Sequence, residues 1–117
     1  MLKIICEDKN IIVSSNTRVA DGFWGRMIGL MFSKGMRNFD GLIIRHCNSV
    51  HTCFMRYEID VVFFDKEYRI IKIIRNMKPW RITGFHFRAS HVLELVAGNL
   101  SGSIHVGDQL ILKRDHV

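Results

Sequence analysis

The stretch Ser49–Asp60, which reads SVHTCFMRYEID, contains most of the side chains that could do chemistry. On an extended strand, His51, Cys53 and Met55 would point to the same side. An imidazole, a thiolate and a thioether together form a soft ligand set of the kind that suits Cu(I). Their spacing matches no standard zinc motif, and a tetrahedral site would need a fourth ligand from elsewhere. We therefore expect no cofactor, and we keep a copper or zinc site at these three residues as an alternative.

Nucleophilic catalysis by Cys53 is a second possibility for the same stretch. Strand side chains two positions apart are separated by about 6.5 Å of strand rise, which is too far for His51 to act as the base. Another histidine (His86, His91 or His105) could serve, but nothing in the sequence selects one. The chain also lacks the nucleophile-elbow, phosphate-loop and zinc-protease motifs. We expect a binding protein, with an enzyme as the alternative.

Charged residues within apolar runs indicate where a polar site could form. Glu94 lies within HVLELV, Asp60 precedes VVFF, and Arg26 and Arg56 lie beside apolar residues. We expect Glu94 to be mostly buried and bonded to an arginine or a backbone donor, because a buried carboxylate is costly unless a cation or hydrogen-bond donors meet it. One interpretation is a set of internal ion pairs that fix the strand register. The other is a polar ligand pocket. Its candidate residues are Arg26, His51, Thr52, Met55, Arg56, Asp60 and Glu94.

The positive charge is concentrated in one fifth of the chain. Seven basic residues and one acidic residue lie within Lys66–Arg88, and they account for the whole formal net charge of +6. Such a band is typical of a solvated face, and it could also bind an anionic partner. We expect the partner to be an unknown protein or a small anionic ligand.

Nucleic acid is the less favoured partner for this basic band. Its aromatic residues Trp80, Phe85 and Phe87 could stack on bases. However, basic residues recur every third position along the strand that contains Lys72, so they should divide between its two faces. We also expect Trp80, which follows Pro79, to fill the edge of the core.

The pattern of apolar residues predicts a mainly β fold with one principal helix. LKIIC and NIIV predict a hairpin, and LIIR, VHTCFM, DVVFF, RIIKII, HVLELV and the end of VGDQLILK predict further strands. Because its charges would discourage pairing, we place RIIKII at a sheet edge. Apolar residues at helical spacing after SSNT predict a helix over Arg18–Phe32. We expect a β-rich α+β domain, a sandwich or barrel, with this helix over one face or one open end.

Length and composition indicate one cytoplasmic domain over residues 1–117. With 48% apolar residues the chain can bury a core, and no apolar run reaches the roughly 18 residues of a membrane span. The first residues lack the apolar region of a secretory signal. Three cysteines without C-x-x-C spacing favour reduced thiols over a disulfide framework.

Six of these segments together resemble domain-of-unknown-function family 192, a family of small prokaryotic proteins. The segments are RMIGLMF, GLII, HTCFMRYEIDVVFFD, KPWR, VLELVAG and VGDQL, which occur in the family's order and spacing between Arg18 and Leu110. The resemblance implies a compact, mainly β sandwich or barrel. It implies no activity, because the family has none that could be carried over.

Overall fold

Seven β-strands make up about half of the chain that the computed structural model describes, which is residues 2–21, 39–50, 52 and 57–114. The strands are β1 (Leu2–Cys6), β2 (Ile11–Asp21), β3 (Gly41–Arg45), β4 (Ile59–Phe64), β5 (Ile70–Met77), β6 (His91–Val96) and β7 (Ile111–Arg114). They form one sheet in the order β5-β4-β6-β3-β2-β1-β7. Only the β2–β3 pair is parallel. The prediction of a mainly β fold is confirmed, with a single sheet as its architecture.

The two outermost strands of this sheet are joined at one end. Arg69, just before β5, forms a bridge with Gln109, just before β7. The backbone N–H of Ile70 donates to Asp108 O at 2.9 Å, and that of Leu110 donates to Tyr68 O at 3.0 Å. These bonds satisfy backbone groups that would otherwise be unpaired at the sheet edges.

Both faces of the sheet are covered by apolar side chains. The first face includes Ile43, Val62 and Leu93, and its cluster of buried side chains extends to the residues after β6. The second face includes Leu42 and Val61, together with the other members of its cluster (Ala20, Phe39, Ile44, Val50, Ile59, Phe63, Met77, Ala89 and Val92). Since strand side chains alternate between faces, the central strands β4 and β6 must be apolar at nearly every position.

Asp60 interrupts this apolar pattern on the first face, where it is 1% exposed. Its carboxylate accepts hydrogen bonds from the backbone N–H of Asn76 at 2.9 Å, Gly98 at 3.0 Å and Leu100 at 3.3 Å. Asn76 has a left-handed backbone with φ of 55° at the end of β5. The carboxylate therefore joins the end of β5 to the turn after β6.

The predicted helix is wrong at its beginning, because Arg18–Asp21 belong to β2. The polar residues before it do not cap a helix. Instead, the backbone N–H groups of Ser15 and Asn16 and the hydroxyls of Ser14 and Ser15 donate to the Asp40 carboxylate. Burial alone would raise the pKa of Asp40, but these hydrogen bonds lower it. Residues 22–32 of the predicted helix lie outside the described residues.

Two strand predictions have different outcomes. VHTCFM is wrong as a strand at its described positions, since Val50 and Thr52 belong to no strand. RIIKII is confirmed as an edge strand, because β5 ends the strand order and Lys72 and Arg75 are exposed. Within the described residues, no helix is long and apolar enough to cross a membrane.

Replacing Asp60 with alanine should lower the free energy of unfolding by about 3 kcal/mol, since each buried donor left unpaired costs roughly 1–3 kcal/mol. Asp65→Ala is a matched control. Asp65 also accepts two backbone N–H groups, but in an exposed turn where water can replace it. We expect the control to lose less than about 1 kcal/mol. Equal urea-denaturation midpoints for the two variants would contradict the role given to Asp60.

Candidate functional site

Thr52, within the motif stretch, has no exposed surface and makes hydrogen bonds through both its backbone and its side chain. Its hydroxyl donates to Lys78 O at 2.6 Å and accepts from the backbone N–H of Arg81 at 2.9 Å. Its own N–H donates to Arg81 O at 2.8 Å, and its carbonyl accepts from the N–H of Trp80 at 3.0 Å. Thr52 thus satisfies four backbone groups of residues 78–81.

Further hydrogen bonds extend this pairing along the chain. Val50 accepts from the N–H of Thr83 at 2.8 Å and donates to the Thr83 hydroxyl at 2.9 Å. Asn48 O accepts from the N–H of His86 at 2.9 Å, and the His86 ring lies 4.4 Å from the Phe63 ring on the second face. We call residues 48–50 and 52 the anchor segment and residues 78–88 the surface segment. The two segments together cover part of the second face.

The surface segment exposes large apolar side chains to solvent. Trp80 is 58% exposed, Ile82 78%, Phe85 69% and Phe87 88%, and the rings of Phe85 and Phe87 lie nearly parallel with centroids 6.2 Å apart. Exposed apolar residues are ordinary when scattered singly, but a contiguous patch indicates an interaction site. The prediction that Trp80 fills the edge of the core is wrong. Hydrogen bonding to the anchor segment fixes the backbone at residue 80, where φ is 63°, and leaves most of the indole in solvent.

The basic residues of the band 66–88 are all exposed, but they divide into two groups. Arg69 donates to Gly107 O, and Arg75 donates to the carbonyls of Leu100, Ser101 and Ile104, so both guanidinium groups hold loops in place. The other group includes Lys78, Arg81 and Arg88 of the surface segment. The salt bridge found among the described residues joins Lys9 to Asp108 and involves no residue of the basic band.

Glu94 is fully buried, as the sequence predicts, and it lies on the second face. It is directly opposite Leu42 of β3 and Val61 of β4, both of which belong to the second-face cluster. Asp60 is opposite Leu95 and lies on the first face. The structure therefore does not bring Asp60 and Glu94 together in one pocket, because the sheet separates them.

The remaining candidates, His51, Cys53, Met55, Arg56 and Arg26, lie outside the described residues, and their roles stay predictions. Within the described part of the chain, no group of three or more His, Cys, Asp or Glu side chains could hold a metal ion.

The histidines considered as bases make other contacts. The His91 ring accepts a hydrogen bond at Nδ1 from the backbone N–H of His46 at 3.2 Å and stacks on Tyr68 at 5.3 Å. Burial lowers the pKa of His91, and the nearby charges of His46 and Arg45 act in the same direction. Its neutral form is therefore favoured. His105 Nδ1 lies 3.1 Å from Lys9 Nζ.

The sequence model of domain-of-unknown-function family 192 (DUF192), described as "Uncharacterized ACR", matches residues 4–112. The chain belongs to this family. The DUF192 match spans all seven strands apart from the end residues of β1 and β7, and it includes both the anchor and the surface segment.

Relatives of known sequence agree with membership in DUF192. A UPF0127 protein of Pyrococcus horikoshii is 35% identical over 94 residues, which is 78% of this chain and 81% of the relative. A UPF0127 protein of Pyrococcus furiosus is 34% identical over 97 residues, which is 80% of this chain and 83% of the relative.

Two solved structures have the same fold as this DUF192 member. A proposed transcription regulator from Sinorhizobium meliloti has a TM-score of 0.76 at 20% identity and covers 94% of this chain and 90% of its own. A protein of unknown function from Novosphingobium aromaticivorans has a TM-score of 0.66 at 19% identity and covers 81% of this chain and 73% of its own. At these identities the likeness shows the fold alone.

Sequence patterns alone did not indicate how the functional candidates of this DUF192 member are arranged. They suggested that Ser49–Asp60 and the basic band were separate regions, whereas hydrogen bonds join the anchor segment to the surface segment. The signal that could have linked them is the pairing of one short β-rich run with a run rich in aromatic residues, but neither the anchor segment nor the surface segment is a regular strand.

We predict that one arginine of the motif region, Arg26 or Arg56, pairs with Glu94. A double-mutant cycle of Glu94→Gln with Arg26→Met and with Arg56→Met should give a coupling energy of about 1–3 kcal/mol for one of them. Glu94→Ala alone should cost about 3–5 kcal/mol, because it removes one partner of a buried pair. Arg18→Met is the control, because Arg18 is exposed on β2. The pairing would be refuted if the coupling energies of Arg26 and of Arg56 with Glu94 were both no larger than that of Arg18.

Proposed function

We propose that this chain is a non-enzymatic binding module whose partner binds across the surface segment 78–88. The observation that carries the proposal is the exposure of four large apolar side chains within one short segment, Trp80, Ile82, Phe85 and Phe87, of which the Phe85 and Phe87 rings lie against each other. A protein that leaves such side chains in water risks self-association, so a partner that covers them explains their exposure. Large rigid aromatic residues are also the residues that most often dominate binding energy at interfaces.

The anchor segment supports this proposal because it holds the backbone of the surface segment before any partner arrives. Thr52 bonds to residues 78, 80 and 81, and Val50 bonds to Thr83 through backbone and side chain. A surface that is already ordered loses less conformational entropy on binding than a flexible loop would. In this proposal, the buried Thr52 serves the site by positioning the residues that contact the partner.

The same proposal assigns the remaining candidate residues of the motif to the binding site. His51, Met55, Arg56 and Arg26 would form the polar side of the site next to Thr52, with Glu94 compensating the positive charge of an arginine. An arginine held in this way has donors left for an anionic group of the partner. We place the module in the cytoplasm, where a cysteine such as Cys6 would stay reduced.

The test compares capture of cellular partners by the wild-type chain and by the Phe85→Ser/Phe87→Ser variant, with bound protein and bound nucleic acid both quantified. We expect the wild type to retain a partner and the variant to lose it, with the free energy of unfolding changed by less than about 0.5 kcal/mol because both rings are exposed. Ile12→Ser on β2 is the matched control, since Ile12 is 58% exposed and lies outside the surface segment.

Two outcomes would contradict the proposal. One is equal capture by the wild type and the Phe85→Ser/Phe87→Ser variant. The other is near one equivalent of copper or zinc in protein purified without an affinity tag, lost together with partner capture when Cys53 is replaced by serine. That second result would favour the soft-metal alternative at His51, Cys53 and Met55.

A further inference from the structure

We propose that the partner of the surface segment is a single-stranded nucleic acid. This inference rests on the proposed function and names the class of partner. The segment Lys78–Arg88 contains three basic and three large aromatic residues and no acidic residue. Proteins that bind single strands without strong sequence preference combine the same two elements, positive charge along the backbone and flat rings for the bases.

The rings of the segment are accessible in the way that stacking requires. Trp80, Phe85 and Phe87 each expose more than half of their surface, and Phe85 and Phe87 lie with an interplanar angle of 22°. An unstacked base can lie against such a ring whatever its identity, because every base has a π-face. The faces of bases within a duplex are already stacked, so these rings favour a single strand over a duplex.

The charges that would meet the phosphates are those of Lys78, Arg81 and Arg88, which are exposed and have no salt bridge among the described residues. The Arg81 guanidinium makes one long hydrogen bond, of 3.5 Å, to the carbonyl of its neighbour Trp80, whereas Arg69 and Arg75 bond to the carbonyls of distant loops. Three phosphate contacts on a single strand predict a slope of about −2 for log affinity against log salt. Binding should therefore fall roughly tenfold to twentyfold between about 50 and 200 mM salt.

An acidic protein is the other partner that positive charge alone would fit. Carboxylates on a protein would use Lys78, Arg81 and Arg88, and the three exposed rings would then need other, apolar side chains of that protein. A single strand supplies both kinds of group in every nucleotide, a charged phosphate and a flat base, which matches a short segment in which cations and rings are interspersed. The combination therefore favours nucleic acid.

The test is a fluorescence-anisotropy titration of labelled 12-nucleotide oligo(dT) and oligo(U), and of a duplex of the same length, at about 50 and 200 mM salt. We expect single-strand dissociation constants on the order of micromolar at the lower salt. Phe85→Ala/Phe87→Ala should weaken binding about tenfold or more through lost stacking. Lys78→Glu/Arg81→Glu/Arg88→Glu should abolish binding.

A charge-matched control separates a defined surface from general attraction to a basic protein. Lys3→Glu/Lys113→Glu/Arg114→Glu makes the same change of net charge on β1 and β7, where Lys3 pairs with Lys113. We expect it to weaken single-strand binding by less than about threefold, as screening limits charges beyond a Debye length. Equal losses in the two triple variants would overturn the inference.

Two further results would also overturn the inference. If the duplex bound as tightly as the single strands, the rings would not be stacking on bases. If no oligonucleotide bound at the lower salt, nucleic acid would be excluded as the partner. If no oligonucleotide binds while the wild type still captures a partner that the Phe85→Ser/Phe87→Ser variant loses, the partner is an acidic protein and the proposed function stands. Failure of both experiments would refute the proposed function as well.

Discussion

Burial of β4 and β6 on both faces is the constraint on which the rest of the structure depends. Val62 and Leu93 face one cluster, and Val61 and Val92 face the other, so each face needs its own cover. Apolar area removed from water contributes roughly 25 cal/mol per Å², which makes an uncovered face costly. On the second face, part of that cover comes from the anchor segment and from residues 83–89, which include the His86 ring over Phe63.

A cover layer without regular strands must still satisfy its backbone polar groups. A buried N–H or C=O without a partner costs about 1–3 kcal/mol, so side chains such as the Thr52 hydroxyl replace the missing ladder bonds. These hydrogen bonds hold the backbone of the surface segment while Trp80, Phe85 and Phe87 stay exposed. The fold itself gains nothing from leaving these rings in water, and this is why we assign the surface to a partner.

Local sequence pattern was enough to predict most strands and the burial of Glu94. The β-branched run RIIKII and the hairpin around Asn10 can be recognised from their own residues. Burial of Glu94 was predictable because its neighbours Leu93 and Leu95 lie in an apolar strand. The predicted helix at Arg18 was wrong because strand pairing with β3 and the Asp40 carboxylate decided the conformation there.

Contacts between distant parts of the chain could not be predicted in the same way. Whether Asp60 and Glu94 share a face depends on the register of β4 against β6, and one residue of shift would reverse the answer. The position of Trp80 depends on Thr52, which is 28 residues away and belongs to no strand. The residue pattern of a short stretch of sequence contains neither the strand register nor the contact between Thr52 and Trp80.

Amide hydrogen exchange in the Thr52→Val variant tests the central claim, that Thr52 holds the surface segment in place, most directly. Valine keeps the shape of threonine but removes the hydroxyl that accepts from Arg81 N–H and donates to Lys78 O. The account predicts that exchange at the amide of Arg81, which loses its acceptor, becomes about tenfold faster or more, while the amide of Val62 in β4 changes by less than about twofold. Unchanged protection of the Arg81 amide would contradict the claim.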